Sequence, residues 1–186
     1  MVKNLLNQKP YTFPEYTNNK MQNILTIGEM YCGPGGIGLA AKNTNISLNN
    51  KKYCFKHIWA TDNHYDTCIT YQKNIPLKSE KSFKVICEDI RELEIEKLPY
   101  VDGFLYGFPC NDFSNVGKTE GLYGKFGPLY TFGVKFIDRN NPKFFLAENV
   151  SGISVANSGK AFQQIYNDWA STKSYYPAVS SIISII

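Results

Sequence analysis

The chain has 186 residues, of which 43% are hydrophobic and 15% aromatic, and a formal charge of +4. Such a chain is long enough for one domain with a sizeable core, and its composition excludes intrinsic disorder. Lys and Arg are scattered, with Lys51-Lys52 the one adjacent pair, so no basic tail advertises a nucleic-acid partner; the charge permits a polyanion without demanding one.

Residues 1–22 form a polar leader containing Pro10 and Pro14, expected to be an arm lying on the domain rather than an apolar signal segment. A strand over 24–31 runs into a glycine-rich turn, followed by a helix starting at 37–43, a strand over 57–61 and a helix over 65–74 closed by Pro76. Next come a strand over 83–87, a charged helical turn over 91–97 and a strand over 101–106. A helix over 129–139, a strand over 143–147 and a helix over 161–170 complete the series. Strands alternating with helices predict an α/β fold with an open, mostly parallel, doubly wound sheet. The domain is expected to occupy residues 23–174. The segment 175–186 is uncharged, apolar and of low complexity, an aggregation hazard that folded proteins usually avoid. It is either a natural strand or the abnormal end of a frameshifted or truncated product. No run of 18 apolar residues exists, so no membrane span is expected.

Ligands of such sheets bind beyond the carboxyl ends of the strands, and there the candidate chemistry gathers. Gly33-Pro34-Gly35-Gly36-Ile37-Gly38 satisfies G-x-G-x-x-G between a strand and a helix, where glycines let the backbone approach a ligand and the helix offers unpaired N–H groups; a purely structural turn has the same pattern. Asp62 ends the second strand, where it suits either the hydroxyls of a ribose or the cap of the next helix. Asp89 follows the third strand, suited to an adenine amino group or to capping 91–97.

Gly107-Phe108-Pro109-Cys110-Asn111 follows the fourth strand. Buried inert cysteines are common, but Pro and Asn mark a loop in which the sulfur faces the crevice. Gly117, Gly121, Gly124 and Gly127 interleave with Lys118, Tyr123, Lys125 and Phe126 in a segment suited to closing over a substrate, or simply flexible. Glu148-Asn149-Val150 ends the fifth strand, expected beside the fourth. After Phe144-Phe145-Leu146-Ala147 the carboxyl is expected to be partly desolvated and its pKa raised, suiting a hydrogen-bond donor; a salt bridge or helix cap is the plain alternative. Five cysteines with no C-x-x-C pair and no Cys/His cluster predict neither a disulfide framework nor a metal site, and suit a reduced, cytoplasmic protein.

The ordered set Tyr31-Cys32-Gly33-Pro34-Gly35-Gly36, Asp62, Asp89-Ile90, Phe108-Pro109-Cys110-Asn111 and Glu148-Asn149-Val150 resembles the cytosine-C5 DNA methyltransferases, most closely the bacterial modification enzymes, over about residues 24–170. The separations, 21 residues from Asp89 to Cys110 and 38 from Cys110 to Glu148, suit that family. Asn111 replaces a commoner Gln, and Glu29 a frequent Asp.

The resemblance implies a Rossmann-like S-adenosylmethionine-dependent fold. Tyr31 and the backbone of 32–36 would cradle the methionine part of the cofactor, Asp62 with Asn63 the ribose, and Asp89, Ile90 and Gly107 the remainder of its pocket. Cys110, between Pro109 and Asn111, would attack C6 of a flipped cytosine, its pKa lowered by its surroundings, with Glu148 and Asn149 completing the catalytic set. Ser114, Lys118 and Lys125 would meet the backbone of double-stranded DNA.

The family continues with a Gln-x-Arg-x-Arg segment, a target-recognition region and a returning segment that completes the pocket. None is found here, and the two arginines, Arg91 and Arg139, fit no such segment. The sequence therefore reads as the first half of a restriction-modification methyltransferase, the C-terminal part of its fold missing and an edge of the sheet exposed. It would be inactive alone, or one subunit of a split enzyme whose second polypeptide carries target recognition. An RNA-methylating relative, a nicotinamide-binding domain and a non-catalytic binding module remain as alternatives, the second leaving Cys110 and Glu148 without a purpose.

Overall fold

A computed structural model describes residues 22–75, 83–109, 127–154 and 156–172. The arm over 1–22, apart from its last residue, and the segment 175–186 lie outside them.

The first strand, β1 (Gln22–Met30), leads through the glycine turn into α1 (Gly36–Asn43). A hairpin follows, β2 (Asn45–Leu48) and β3 (Lys51–Asp62), then α2 (Tyr65–Asn74) and β4 (Lys84–Cys87). The second half comprises β5 (Gly103–Tyr106), α3 (Tyr130–Asn140), β6 (Phe144–Ala147) and α4 (Lys160–Ala170). These agree with the sequence expectations to within a few residues, with two exceptions. Asn49 and Asn50, both at positive φ (51° and 61°), turn the chain between β2 and β3, so the expected five-residue strand is the inner half of a 12-residue one. Two left-handed residues are what a tight hairpin needs, and Asn tolerates that conformation. β2 does alternate, Ile46 and Leu48 with Asn45 and Ser47, but it is only four residues long and wholly exposed, too short an alternation to mark a strand by itself. The expected helical turn over 91–97 reduces to one turn closed on the Asp89 carbonyl, which accepts from Glu92 and Leu93 N–H, and a 3-10 turn at Ile95–Lys97; between them Ile95 N–H donates to Leu93 O at 2.9 Å, a bond that no helix continues.

The sheet runs β2-β3-β1-β5-β6, with β4 parallel to the inner half of β3 and β2 antiparallel to its outer half. All pairs except β2–β3 are parallel. β1 has β3 on one side and β5 on the other, so the chain winds outward one way, returns across β1 and winds the other way. That reversal opens a crevice at the carboxyl ends of β1 and β5. A bulge between Ile27 and Gly28 sets Gly28 opposite Trp59, where any side chain would overlap the indole; the indole N–H donates to Pro99 O at 3.0 Å.

The larger core gathers Met30, Trp59, Phe104, Tyr106 and Phe136 with Ile165 and Trp169 of α4. A smaller one, Cys32, Ala60, Tyr71 and Ile75, fills the space beneath α2. All four residues of β5 are buried, as the centre of a sheet covered on both faces requires. At the far end of the sheet, Asp102 accepts from Thr26 N–H and Oγ1–H, both at 2.8 Å, and pairs with Lys143 at 2.7 Å, pinning β1, β5 and β6 to one register.

Candidate active site

Register brings the strand ends level: Met30 is paired with Thr61 and with Tyr106, Asp62 with Cys87, and Tyr106 with Ala147. The segments that follow these strands, 31–36, 62–64, 88–91, 107–109 and 148–150, therefore share one edge of the sheet.

The glycine turn is built for close approach. Tyr31, Gly33 and Gly35 have positive φ, and Gly33 and Gly36 have open space where a side chain would project. Gly35 at the cap position offers no side chain, so the Gly36 and Ile37 N–H groups that open α1 are left to a ligand. Gly35 has a different reason to be glycine: a Cβ there would lie 3.0 Å from both Ile75 and Tyr71. Cys32 N–H donates to Thr61 O at 3.0 Å and its carbonyl accepts from Gly35 N–H at 3.1 Å, while burial, with Glu29 and Asp62 nearby, pushes its thiol far up, so Cys32 shapes the turn.

Asp62 ties the turn to α2. One carboxylate oxygen accepts from Gly33 N–H and the other from His64 N–H, both at 2.9 Å. Asp62 is not the cap of α2, since His64 occupies the cap position with no side-chain cap bond. A carboxylate has about four acceptor positions, so capacity remains for a ligand. Asn63 beside it is exposed. Asp89 accepts from Arg91 N–H at 3.0 Å and forms a two-pronged ion pair with the Arg91 guanidinium. Ile90 is buried in the larger core. Tyr31 lies against that core, its hydroxyl donating to Leu129 O at 2.7 Å.

On the other side of the crevice, Glu148 N–H donates to Tyr106 O at 3.0 Å, and its carboxylate lies 3.0 Å from where a Cβ on Gly107 would stand. That same Cβ would be 3.8 Å from Ile37, so the glycine turn, 107–109 and Glu148 converge. The expected desolvation of Glu148 is not borne out: its side chain is exposed, because it projects past the end of β6 rather than back over the apolar strand. Asn149 has a definite task. Its amide N–H donates to Phe108 O at 2.9 Å while its side-chain oxygen accepts from Val150 N–H at 2.9 Å, clamping the 148–150 turn to the strand end that carries Pro109. Pro109 is half-buried. Cys110, Asn111, Ser114, Lys118 and Lys125 lie outside the described residues.

Sequence reasoning assigned no task to Glu29, Tyr71, His57 or Arg91. The available signal was a lone carboxylate inside an apolar strand, Ile27-Gly28-Glu29-Met30, where burial demands a partner. Among the described residues no group of three or more His, Cys, Asp or Glu side chains could hold a metal, and no helix is long and apolar enough to cross a membrane.

Comparison with known proteins gives a consistent result. The family model for C-5 cytosine-specific DNA methylase matches residues 25–180. Type II methyltransferase M.BbvI of Brevibacillus brevis is 44% identical over 154 residues, which is 80% of this chain and 41% of that protein. Type II methyltransferase M.NgoFVII of Neisseria gonorrhoeae is 34% identical over 163 residues, 86% of this chain and 39% of that protein. The chain thus spans about two-fifths of the length of these relatives. Among solved structures, the S. pombe Dnmt2 methyltransferase has the same fold, with a TM-score of 0.50 at 18% identity, covering 77% of this chain and 42% of that one.

Proposed function

Since the chain belongs to the C-5 cytosine-specific DNA methylase family, we propose that it is the cofactor-binding and catalytic part of a type II DNA (cytosine-5) methyltransferase. The observation that carries this is the convergence of the glycine turn, Asp62, Asp89, Gly107-Phe108-Pro109 and Glu148 at one edge of a parallel sheet. The open space at Gly33 and Gly36, the Gly36 and Ile37 N–H groups that open α1 and the spare capacity of Asp62 fit S-adenosylmethionine as cofactor. When bound, the cofactor supplies an electrophilic methyl group. The backbone of 32–36 with Tyr31 would hold its methionine part, Asp62 with Asn63 its ribose, and Asp89, Ile90 and Gly107 the rest. Asp89 would first have to share or release Arg91.

Cytosine C5 is a poor nucleophile until sulfur adds at C6. The Cys110 thiolate forms the Sγ–C6 bond, and the C5–C6 electron pair becomes available at C5 for the methyl group. Loss of the C5 proton then restores the double bond as Sγ–C6 breaks. Glu148 would hold the ring N3 and the exocyclic amine, offsetting charge on the ring. Asn149 acts on the backbone: through Phe108 O it fixes the segment entering Pro109-Cys110-Asn111. Such chemistry requires a flipped base, and Ser114, Lys118 and Lys125 would meet the DNA backbone.

The test is methyl transfer from labelled S-adenosylmethionine to duplex DNA by the chain, alone and together with the sequence encoded downstream of it, and covalent trapping on DNA carrying 5-fluorocytosine. Activity and a trapped adduct are expected, both lost in Cys110→Ser. Transfer to RNA alone, or transfer surviving Cys110→Ser, would overturn the proposal.

A further inference from the structure

Beneath the glycine turn lies a polar pair that the proposed chemistry does not use. Glu29, at the end of β1, is 1% exposed and Tyr71 of α2 is 0% exposed; the tyrosine hydroxyl donates to Glu29 Oε2 at 2.5 Å. The Gly38 N–H of α1 also donates to Glu29. A Cβ on Gly38 would stand 2.5 Å from Tyr71 Oη and 2.7 Å from Glu29 Oε2, so the third glycine of the G-x-G-x-x-G pattern is there to seat α1 on this pair. Gly35 packs on the ring of the same tyrosine. Three elements, the end of β1, the first turn of α1 and the middle of α2, therefore meet at one carboxyl group directly under the turn.

We infer that Glu29 and Tyr71 are positioning residues for cofactor binding: the protonated Glu29 carboxyl, bonded to Tyr71 and Gly38, holds the glycine turn in its binding conformation, and ionisation of Glu29 loosens it. The inference rests on the cofactor assignment above. A neutral carboxyl suits the enclosed site, whereas a carboxylate there draws in water and parts the three elements. Burial pushes the Glu29 pKa up to about 7, against the lowering effect of its bonds to Tyr71 and Gly38. The surrounding groups leave that equilibrium undisturbed near neutrality. His57 of β3 meets the Tyr71 ring edge-on at 6.3 Å and stays uncharged, its pKa pushed down to about 4 by burial and by the Lys42 charge. Cys32 of the turn and Tyr71 itself are both pushed far up by burial. Asp62 acts on the Cys32 thiol.

Two measurements on the full chain test this. In hydrogen exchange, corrected for the intrinsic rate at each pH, protection of the Gly38 and Leu39 amides should fall at least tenfold from pH 6 to pH 8.5, and this fall should vanish in Glu29→Gln. Affinity for S-adenosylmethionine should weaken over the same range with the same midpoint. Tyr71→Phe, which removes a bond favouring the ionised form, should move the midpoint to higher pH, a shift that a purely structural role would not produce. A flat profile in the natural protein, or an identical profile in Glu29→Gln, would overturn the inference. If no form binds S-adenosylmethionine at any pH, the cofactor assignment fails, and the exchange data on the free chain still decide whether the pair holds the turn.

Discussion

Glu29 and His57 illustrate how two buried ionisable residues conceal one another. Glu29, with its pKa raised from 4.5 to about 7, contributes stability that is complete below pH 4.5 and lost as pH rises through 7. His57, lowered from 6.5 to about 4, does the opposite: its contribution is complete above pH 6.5 and lost as pH falls toward 4. Between about pH 4.5 and 6.5 the two slopes, each about 1.4 kcal/mol per pH unit, cancel. Denaturant unfolding across this window should therefore show a steeper rise with pH in Glu29→Gln than in the natural protein. In His57→Phe a fall should appear. Parallel curves for all three would show that neither group titrates as described. At Gly38, an alanine would strike both Tyr71 and Glu29, and Gly38→Ala should cost about 1–3 kcal/mol in the same measurement. Asn149→Ala leaves the Phe108 carbonyl without its donor and should lower the methyl-transfer rate roughly tenfold or more while changing cofactor affinity little, read from kcat against the cofactor Kd.

At the scale of elements, the sequence was legible wherever apolar periodicity was strong. The β-α alternation from β1 through α4 and the adjacency of β5 and β6 follow from runs such as Phe104-Leu105-Tyr106 and Phe144-Phe145-Leu146. The β2–β3 hairpin went unread, because Asn45-Ile46-Ser47-Leu48 is short and exposed throughout, and its marks, the Ile46/Leu48 alternation and the Asn49-Asn50 pair, are each slight. Similarly, the segments of the candidate site could be foreseen from the glycine pattern and the strand ends, but not the internal bonds of Asp62 and Asp89. Those depend on His64, Gly33 and Arg91 folding back within a few ångströms, which spacing does not encode. The exposure of Glu148 escaped for a related reason: an apolar neighbour in sequence does not bury a side chain that projects beyond the strand. In the hairpin, Asn50→Gly should leave stability equal or raise it by a few tenths of a kcal/mol, whereas Asn50→Val should lower it by about 1–2 kcal/mol, since a β-branched residue resists positive φ.

For the whole molecule, the polar cluster that fastens the sheet and the candidate site are separated along the strands. Thr26 in the middle of β1, with Asp102 and Lys143 just ahead of β5 and β6, fastens these three strands, while the described residues assigned to ligands lie at the carboxyl ends. The Asp102 carboxyl, raised by burial but held below its usual range overall by Lys143 and Thr26, stabilises the fold above its ordinary pKa and loses that contribution as the medium becomes acidic. β6 ends the strand order among the described residues, and Leu146 on it is 46% exposed. Among the described residues no further strand lies beyond that edge.

The central place of β1 also has a consequence for synthesis on the ribosome. Its first neighbour, β3, lies close behind in sequence, whereas its second, β5, begins only at Gly103. The half-sheet of β1, β2, β3 and β4 can thus assemble as it leaves the exit tunnel, with one flank of β1 still bare. That bare flank is apolar and hydrogen-bond-hungry, and until β5 arrives it is the molecule's most hazardous surface. Slowing translation between α2 and β5 should accordingly divert more of the nascent chain into aggregates than slowing it after β6.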